Sequence, residues 1–239
     1  MFELAKHDLR FIAQRLPKDI RDLMKTHGKN LMVGGGFIRA QIAGETPSDI
    51  DLFGTDKAQL ELIANALMSV RPGAKMHKSK NAITIITPDR LPVQFITRWT
   101  FDEPSKCMES FDFSVCQAVV YRLNGGNGDW RSCIGERFYQ DLAARRLFYT
   151  APVREEEAGG SLLRVIKYVK RGYTIQVSSL GAVVARLFSG MEKSPLAGER
   201  PDVVLVGLLR EVDPLLVIDG FEVVDDHEPV EGEPADDAP

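Results

Sequence analysis

Three consecutive glycines at residues 34–36 constrain the fold of this chain more than any other feature, because they join two elements of different type. The residues before them, 30–33, are Asn-Leu-Met-Val, which is typical of a short buried strand. Residues 37–44 have the apolar spacing of a brief helix that stops at a glycine. Residues 49–53, Asp-Ile-Asp-Leu-Phe, predict a second strand. This succession of strand, glycine turn, helix and strand predicts an α/β fold.

The rest of the chain divides into an α/β front and a helical rear. The front is predicted to contain two short helices in 2–27, broken at Pro17, a helix at 56–70, and two hairpins, 81–88 with 91–99 and 116–124 with 130–135. Helices are predicted at 137–148, 161–173, 179–191 and 201–212. We therefore expect a head at 1–150, a helical segment at 151–220 and an acidic tail at 221–239. The tail is predicted to be disordered because it cannot bury enough apolar surface.

Composition and charge argue against a secreted protein, a membrane-spanning protein and a protein with an overall basic surface. With 44% hydrophobic and 27% charged residues, the 239-residue chain is typical of a soluble globular protein. Its net charge of −4 gives no overall basic field, so contact with nucleic acid would depend on local patches. The odd number of cysteines, without zinc-like spacing, predicts reduced thiols. We expect a cytoplasmic protein, since the sequence contains neither a signal-peptide pattern nor a long apolar run.

Asp49 and Asp51 stand one residue apart on a predicted strand. Side chains alternate along a strand, so both carboxylates are expected on the same face. Such a pair can hold Mg²⁺, with substrate phosphates supplying the remaining oxygen ligands. The glycines just upstream would allow close approach of a phosphate to the backbone. A solvated carboxylate pair and a purely structural glycine turn remain the alternatives.

Residues 31–55 resemble the signature of the DNA polymerase β-type nucleotidyltransferases, and most of all the heads of bacterial CCA-adding enzymes and poly(A) polymerases. That branch has Gly-Gly-x-Val-Arg-Asp, a few apolar residues, and then Gly-Arg-x-Pro-x-Asp-Ile-Asp. The matching positions in this chain are Gly35, Gly36, Arg39, Gly44, Pro47, Asp49 and Asp51. The resemblance implies a nucleotidyltransferase head with a mixed β-sheet, followed by a helical neck-like segment.

A fainter similarity extends to about residue 175. Residues 109–121 are similar to the family's Arg-Arg-Asp-Phe-Thr-x-Asn-Ala segment, in which the two arginines are replaced here by Ser110 and Phe111 and the asparagine by Cys116. Residues 161–175 are similar to the family's basic helix. The family's base-reading Glu-Asp-x-x-Arg element is not recognisable.

The resemblance implies Mg²⁺-dependent transfer of an NMP from an NTP to a hydroxyl acceptor, with release of pyrophosphate. RNA 3′ ends, tRNA-like ones first, are the preferred acceptor. Asp49 and Asp51 are expected to be the catalytic metal ligands of a two-metal site, with Mn²⁺ as an alternative ion. Gln94 stands where many members of the superfamily have a third acid. The expected nucleotide-binding residues are Gly34, Gly35, Gly36, Arg39, Ser48, Asp112, Arg164 and Lys167.

Basic residues elsewhere suggest further phosphate contacts. Lys78, Lys80 and Arg98 are candidates for neutralising a triphosphate. A basic helix face could follow an RNA backbone, and it consists of Arg164, Lys167, Lys170 and Arg171. Two other functions remain open: a toxin or regulator that modifies tRNA or protein, and a degenerate, non-catalytic nucleotide-binding module.

Overall fold

The α/β pattern of the front half folds into one seven-stranded mixed sheet with helices around it, in a computed structural model of the chain. The structure describes residues 2–123, 129–152, 158–210, 217–219 and 222–224. The helices are α1 (Lys6–Arg15), α2 (Lys18–His27), α3 (Gly36–Ala43), α4 (Lys57–Ser69), α5 (Pro104–Glu109), α6 (Phe138–Ala143), α7 (Ala158–Lys170), α8 (Val177–Lys193) and α9 (Pro201–Arg210). The strands are β1 (Leu31–Gly34), β2 (Ile50–Gly54), β3 (Lys75–Lys78), β4 (Ala82–Ile86), β5 (Val93–Ile96), β6 (Ala118–Arg122), β7 (Trp130–Ile134), β8 (Arg146–Leu147), β9 (Thr174–Ile175), β10 (Val217–Asp219) and β11 (Glu222–Val224).

The sheet places the second predicted strand near its centre. The strand order is β3-β4-β5-β2-β1-β6-β7, in which only β2 and β5 run parallel. Both predicted hairpins are confirmed, as β4 with β5 and β6 with β7. In this register Asp51 lies opposite Gly34 on one side and Gln94 on the other.

Local signals explain where the elements next to the central strands begin and end. Helix α3 ends at Gly44, which adopts the left-handed conformation with φ of 70°. Helix α4 begins after Asp56, whose carboxylate accepts a hydrogen bond from the backbone N–H of Gln59 at 2.8 Å. Strand β2 therefore lies in the chain between the C-terminus of α3 and the N-terminus of α4.

Both faces of the sheet are packed. The larger apolar cluster includes Ile50 and Leu52 of β2, which are fully buried, and side chains from α1 to α4. The smaller cluster covers the opposite face around Phe53, Met108 and Cys133, with α5 against it. The sequence did not predict α5 or β3, and the predicted helix at 137–148 ends at Ala143, before β8.

The helix α7 packs into the head. Its residues Val165 and Tyr168, together with Tyr173 after it, belong to the same cluster as the sheet. Strand β8 of the head also pairs with β9, which follows α7. Within the part of the chain that the structure describes, no helix has the length and apolar character needed to cross a membrane. Of the tail from residue 221, only β11 is described, paired with β10, so the prediction of disorder for the remaining tail residues lies outside the described residues.

Candidate active site

Two carboxylates lie together at one end of β2, as the alternation of side chains predicted. Asp51 lies on the strand and Asp49 directly precedes it, and both side chains are half-buried. Ile50, between them, is fully buried in the core on the other face. The hydroxyl of Ser48 donates a hydrogen bond to Oδ1 of Asp49 at 3.1 Å, which holds that carboxylate in place.

The electrostatics of the pair favour a cation. Burial raises the pKa of Asp51 well above its usual value, and the charge of Asp49 raises it further. The positive charges of Lys167 and Arg164 oppose this rise in the pKa. The α7 side chains therefore direct positive charge at the carboxylates, although they do not offset the combined effect of burial and repulsion on the pKa of Asp51.

The glycine turn lies beside these carboxylates. Gly35 has a φ of 70°, and its N–H donates to the backbone oxygen of Ala118 at 3.0 Å. Helix α3 begins at Gly36, so the N–H groups of its first turn lack intrahelical acceptors. These N–H groups and the positive end of the helix dipole are suited to a phosphate.

Phe111 packs directly on the turn, which the sequence did not predict. A Cβ atom at Gly34 would lie 2.8 Å from Cζ of Phe111, and one at Gly35 would lie 2.9 Å from its Cε1. The ring also meets Phe53 edge-on, with 5.6 Å between the centroids. The signal for this residue is its place in the sequence, because Phe111 replaces the second arginine of the family segment. This chain thus has an apolar ring at the position where the family segment has an arginine.

The two glycines Gly35 and Gly36 give a matched test of this packing. Gly35→Ala is expected to lower the free energy of unfolding by about 1–3 kcal/mol, because alanine is strained at positive φ and its Cβ would clash with Phe111. Gly36→Ala should be neutral or slightly stabilising, since a Cβ there meets nothing within 4 Å. Urea unfolding followed by circular dichroism measures both values. Equal values for the two variants would contradict the role of the ring.

Asp112 connects the head to α7. Its side chain is 6% exposed, and its Oδ2 accepts hydrogen bonds from Arg164 at 2.7 Å and from the Ser161 hydroxyl at 2.9 Å. Arg164 keeps 33% of its side chain exposed. Asp112 therefore orients a cation beside the carboxylate pair, and its contact with the nucleotide stays a prediction.

The predicted role of Arg39 as a triphosphate ligand does not agree with its position. Its side chain is 1% exposed, forms an ion pair with Glu45 and donates to the Tyr173 hydroxyl at 3.1 Å. The guanidinium also stacks on the rings of Tyr168 and Tyr173, at 5.1 and 5.5 Å from their centroids. Arg39 therefore links α3 to the end of α7 inside the protein. The sequence motif identified Arg39, but it gave no indication of its three partners inside the protein, Glu45, Tyr168 and Tyr173.

The other basic candidates are distributed over the surface. Lys78 lies on the edge strand β3 and pairs with Glu61 at 3.1 Å. Arg98 stacks on Trp99 at 5.2 Å. Lys80 is exposed just after β3, and Lys170 is exposed at the end of α7. Of the predicted cations, the structure brings Arg164 and Lys167 close enough to Asp51 to affect its pKa.

The donor atoms fit a hard divalent cation that is bound together with a substrate. Among the described residues, no group of three or more His, Cys, Asp and Glu side chains is placed to hold a metal. The site offers two carboxylates, and Gln94 lies next to Asp51 in the sheet. Mg²⁺ prefers such oxygen ligands and commonly completes its octahedron with phosphate and water.

Comparison with solved structures shows a nucleotidyltransferase-like fold, similar to the heads of CCA-adding enzymes. The Thermotoga maritima CCA-adding enzyme complexed with tRNA matches with a TM-score of 0.51 and 18% identity, over 88% of this chain and 56% of that chain. A CCA-adding enzyme with ATP matches with a TM-score of 0.53 and 17% identity, over 88% and 57%. A tRNA-processing enzyme in its apo form matches with a TM-score of 0.55 and 16% identity, over 82% and 53%. The chain thus spans slightly over half the length of these structures.

The family comparison is more specific. No curated protein matches the chain. The model of the Gabija anti-defense 2 family matches residues 4–145, which include the glycine turn, the carboxylate pair and Asp112. Because the match covers more than half of the sequence, the chain belongs to the Gabija anti-defense 2 family.

Proposed function

We propose that this chain is a Mg²⁺-dependent nucleotidyltransferase that transfers an NMP from an NTP to a hydroxyl acceptor, with an RNA 3′ end as the first candidate. The observation that carries the proposal is the proximity of Asp49, directly before β2, to Asp51 on β2, beside the glycine turn and near the positive charges of α7. A carboxylate pair with a phosphate-binding turn and nearby cations is the arrangement that phosphoryl transfer requires.

The residues would divide the work as follows. Asp49 and Asp51 would hold the metal, which when bound would neutralise phosphate charge and polarise the attacking hydroxyl. The N–H groups at the start of α3 and the side chains of Arg164 and Lys167 balance the charge of the triphosphate. Asp112 keeps Arg164 in position. The acceptor oxygen bonds to the α-phosphorus, the bond to pyrophosphate breaks, and the hydroxyl proton passes to water.

The ligands of the similar solved structures support the proposed NTP substrate and RNA acceptor. One of them is a CCA-adding enzyme with tRNA and another a CCA-adding enzyme with ATP. We extend both ligand classes to this chain, although it is much shorter than these enzymes. The acceptor strand would follow the basic face of α7, where Lys170 and Arg171 extend the row of Arg164 and Lys167.

The family name adds a biological setting. We propose that the transfer acts against a Gabija defence system, by modifying an RNA or a protein on which that system depends. An RNA acceptor is preferred because of the basic face of α7, and a protein hydroxyl is the alternative acceptor.

A second candidate is a nucleotide-binding module without catalysis. Phe111 favours it, because the ring covers Gly34 and Gly35 and removes a cation from the place where a triphosphate would lie. In that case the chain would bind an NTP and act either by sequestering it or through a conformational change on binding it.

Transfer of label separates the two candidates. The full chain is incubated with each NTP labelled at the α-phosphate, Mg²⁺, and total RNA or lysate. The enzyme is expected to label RNA or protein, whereas γ-labelled NTP should leave no label. Asp49→Asn should abolish the signal. Asp56→Asn is the matched control, because that carboxylate caps α4 away from the site and asparagine caps a helix equally well.

The outcomes are distinct. Label that disappears in Asp49→Asn and persists in Asp56→Asn supports the enzyme. Binding of NTP without transfer from any of the four nucleotides would support the non-catalytic module. Equal labelling by Asp49→Asn and the parent would show that another site, or a contaminant, performs the reaction.

A further inference from the structure

A separate cavity of about 400 Å³ lies between α1, α2 and the start of β7. Its size is in the range of sites that bind small molecules or single nucleotides. The polar residues lining it are Lys6, Arg10, Gln14, Arg21, Asp129 and Arg131, and Trp130 stands among them. We call this cavity the α1–β7 groove.

The groove carries a local excess of positive charge. Lys6 and Arg10 lie one turn apart on α1, Arg21 comes from α2, and Arg131 comes from β7. Asp129 is the acid that lines it, and it lies 4.0 Å from Arg131. In the described part of the chain, Lys6, Arg10 and Arg21 have no carboxylate partner. Four cations against one acid give a local charge of about +3 in a chain of net charge −4.

An aromatic ring completes the groove. Trp130 is half-buried at the start of β7, and the guanidinium of Arg122 lies 5.3 Å from its ring centroid. Leu9 and Ala13 of α1 add apolar surface next to it. A flat ring among cations suits a ligand that combines an aromatic base with phosphates.

The groove is distinct from the carboxylate site. Along β7, Cys133 belongs to the cluster around Phe53, on the face that also bears Asp51. Trp130 and Ile134 point to the opposite face, towards the larger core. Lys6, Arg10 and Arg21 come from the helices that pack on this opposite face, so they cannot serve a triphosphate held at Asp51.

We propose that the α1–β7 groove binds a single-stranded segment of nucleic acid. Phosphates along the strand contact Lys6, Arg10 and Arg21, and one base stacks on Trp130. Single strands fit better than a duplex, since their bases are free to stack and the cavity has room for about one nucleotide. This binding stands on the groove alone and does not depend on nucleotidyl transfer.

Binding is measured with the full chain and a fluorescein-labelled 12-nucleotide RNA of mixed sequence, without Mg²⁺ or NTP. R10E/R21E is expected to weaken binding by at least about tenfold. The slope of log K against log salt concentration should also become less negative by about 1.4. Lys25→Glu, an exposed residue of α2 outside the groove, is the charge-reversal control and should change the affinity less than about twofold. Thermal unfolding of each variant confirms that it is folded.

The stacked base has its own readout. The chain contains two tryptophans, so Trp99→Phe leaves Trp130 as the sole reporter. RNA should quench its fluorescence over the same concentration range as the anisotropy change. Trp130→Leu should weaken binding about tenfold. UMP is added as a competitor, and weak competition by it indicates that several phosphates of one strand are contacted.

The proposal is overturned if the RNA does not bind at low salt, or if R10E/R21E binds as tightly as Lys25→Glu. It is also overturned if an acidic peptide with the sequence of residues 225–239 binds the groove as tightly as RNA does, because the groove would then be a protein-docking surface. Asp49→Asn should bind the RNA as tightly as the parent does. Loss of transfer with retained RNA binding therefore separates failure of the proposed function from failure of this one.

Discussion

Asp51→Asn is expected to reduce the proposed nucleotidyl transfer by about 10³-fold while leaving the protein folded. Loss of a metal carboxylate removes several kcal/mol of transition-state stabilisation, and each 1.4 kcal/mol corresponds to a factor of ten. The fold should not suffer, because Asp51 repels Asp49 across a partly buried space and the neutral amide ends that repulsion. Activity and stability should thus change in opposite directions.

Thermal unfolding with and without Mg²⁺ and NTP tests the second half of this prediction. The parent is expected to melt at a higher temperature when both ligands are present, since a ligand that binds only the folded state stabilises it. Asp51→Asn should melt at or above the parent's temperature without ligand and should respond weakly to Mg²⁺. Asp56→Asn should behave as the parent in both conditions. A melting temperature of Asp51→Asn well below that of the parent would show that Asp51 is structural.

The fold around the site was predictable because its signals are local. The strand β1, the glycine turn, α3 and β2 lie within 25 residues, and their boundaries are set by glycines and by alternating apolar side chains. The same alternation placed Asp49 and Asp51 on one face. Both hairpins followed from apolar runs separated by turn-forming residues, and the sheet confirms the pairing of their strands.

Elements without such signals were missed. Strand β3 has the sequence Lys-Met-His-Lys, with one large apolar side chain, and it exists because β4 offers an edge to pair with. Helix α5 has six residues and is held by the cluster on the second face of the sheet. In both cases tertiary contacts decide the local structure, and propensity alone does not report them.

The residues of the candidate site were identified from the sequence, but their surroundings were not. The sequence motif identifies Arg39, but the burial of its side chain depends on Tyr168 and Tyr173, which lie about 130 residues further along the chain. Phe111 was visible as a departure from the family pattern, but only the fold shows that its ring covers Gly35. Contacts between distant segments therefore separate what the sequence predicts from what the structure adds.

A second large effect is expected at Asp141, the hub that holds the segment next to Asp112. Its side chain is fully buried and accepts hydrogen bonds from the Ser114 hydroxyl at 2.6 Å, from Arg137 at 3.0 and 3.1 Å, and from Arg146 at 2.9 and 2.6 Å. Asp141→Asn is expected to lower the free energy of unfolding by about 3 kcal/mol, because two guanidinium groups would then face each other without a counter-charge. Partial exposure of Arg137 and Arg146 keeps the loss from being larger.

The pH dependence gives this prediction its signature. Burial alone would raise the pKa of Asp141, but the hydrogen bonds from Ser114 and the two arginines outweigh it and lower the pKa. A lowered pKa means that the stabilisation is complete above the unfolded-state value of about 4 and is lost as the pH falls through the folded value. Urea unfolding should therefore separate the parent from Asp141→Asn fully at pH 7 and progressively less below about pH 4. Asp22→Asn, at an exposed position of α2, should change the free energy of unfolding by less than about 0.5 kcal/mol. A parent and an Asp141→Asn variant of equal stability at pH 7 would contradict the role of this carboxylate as the hub.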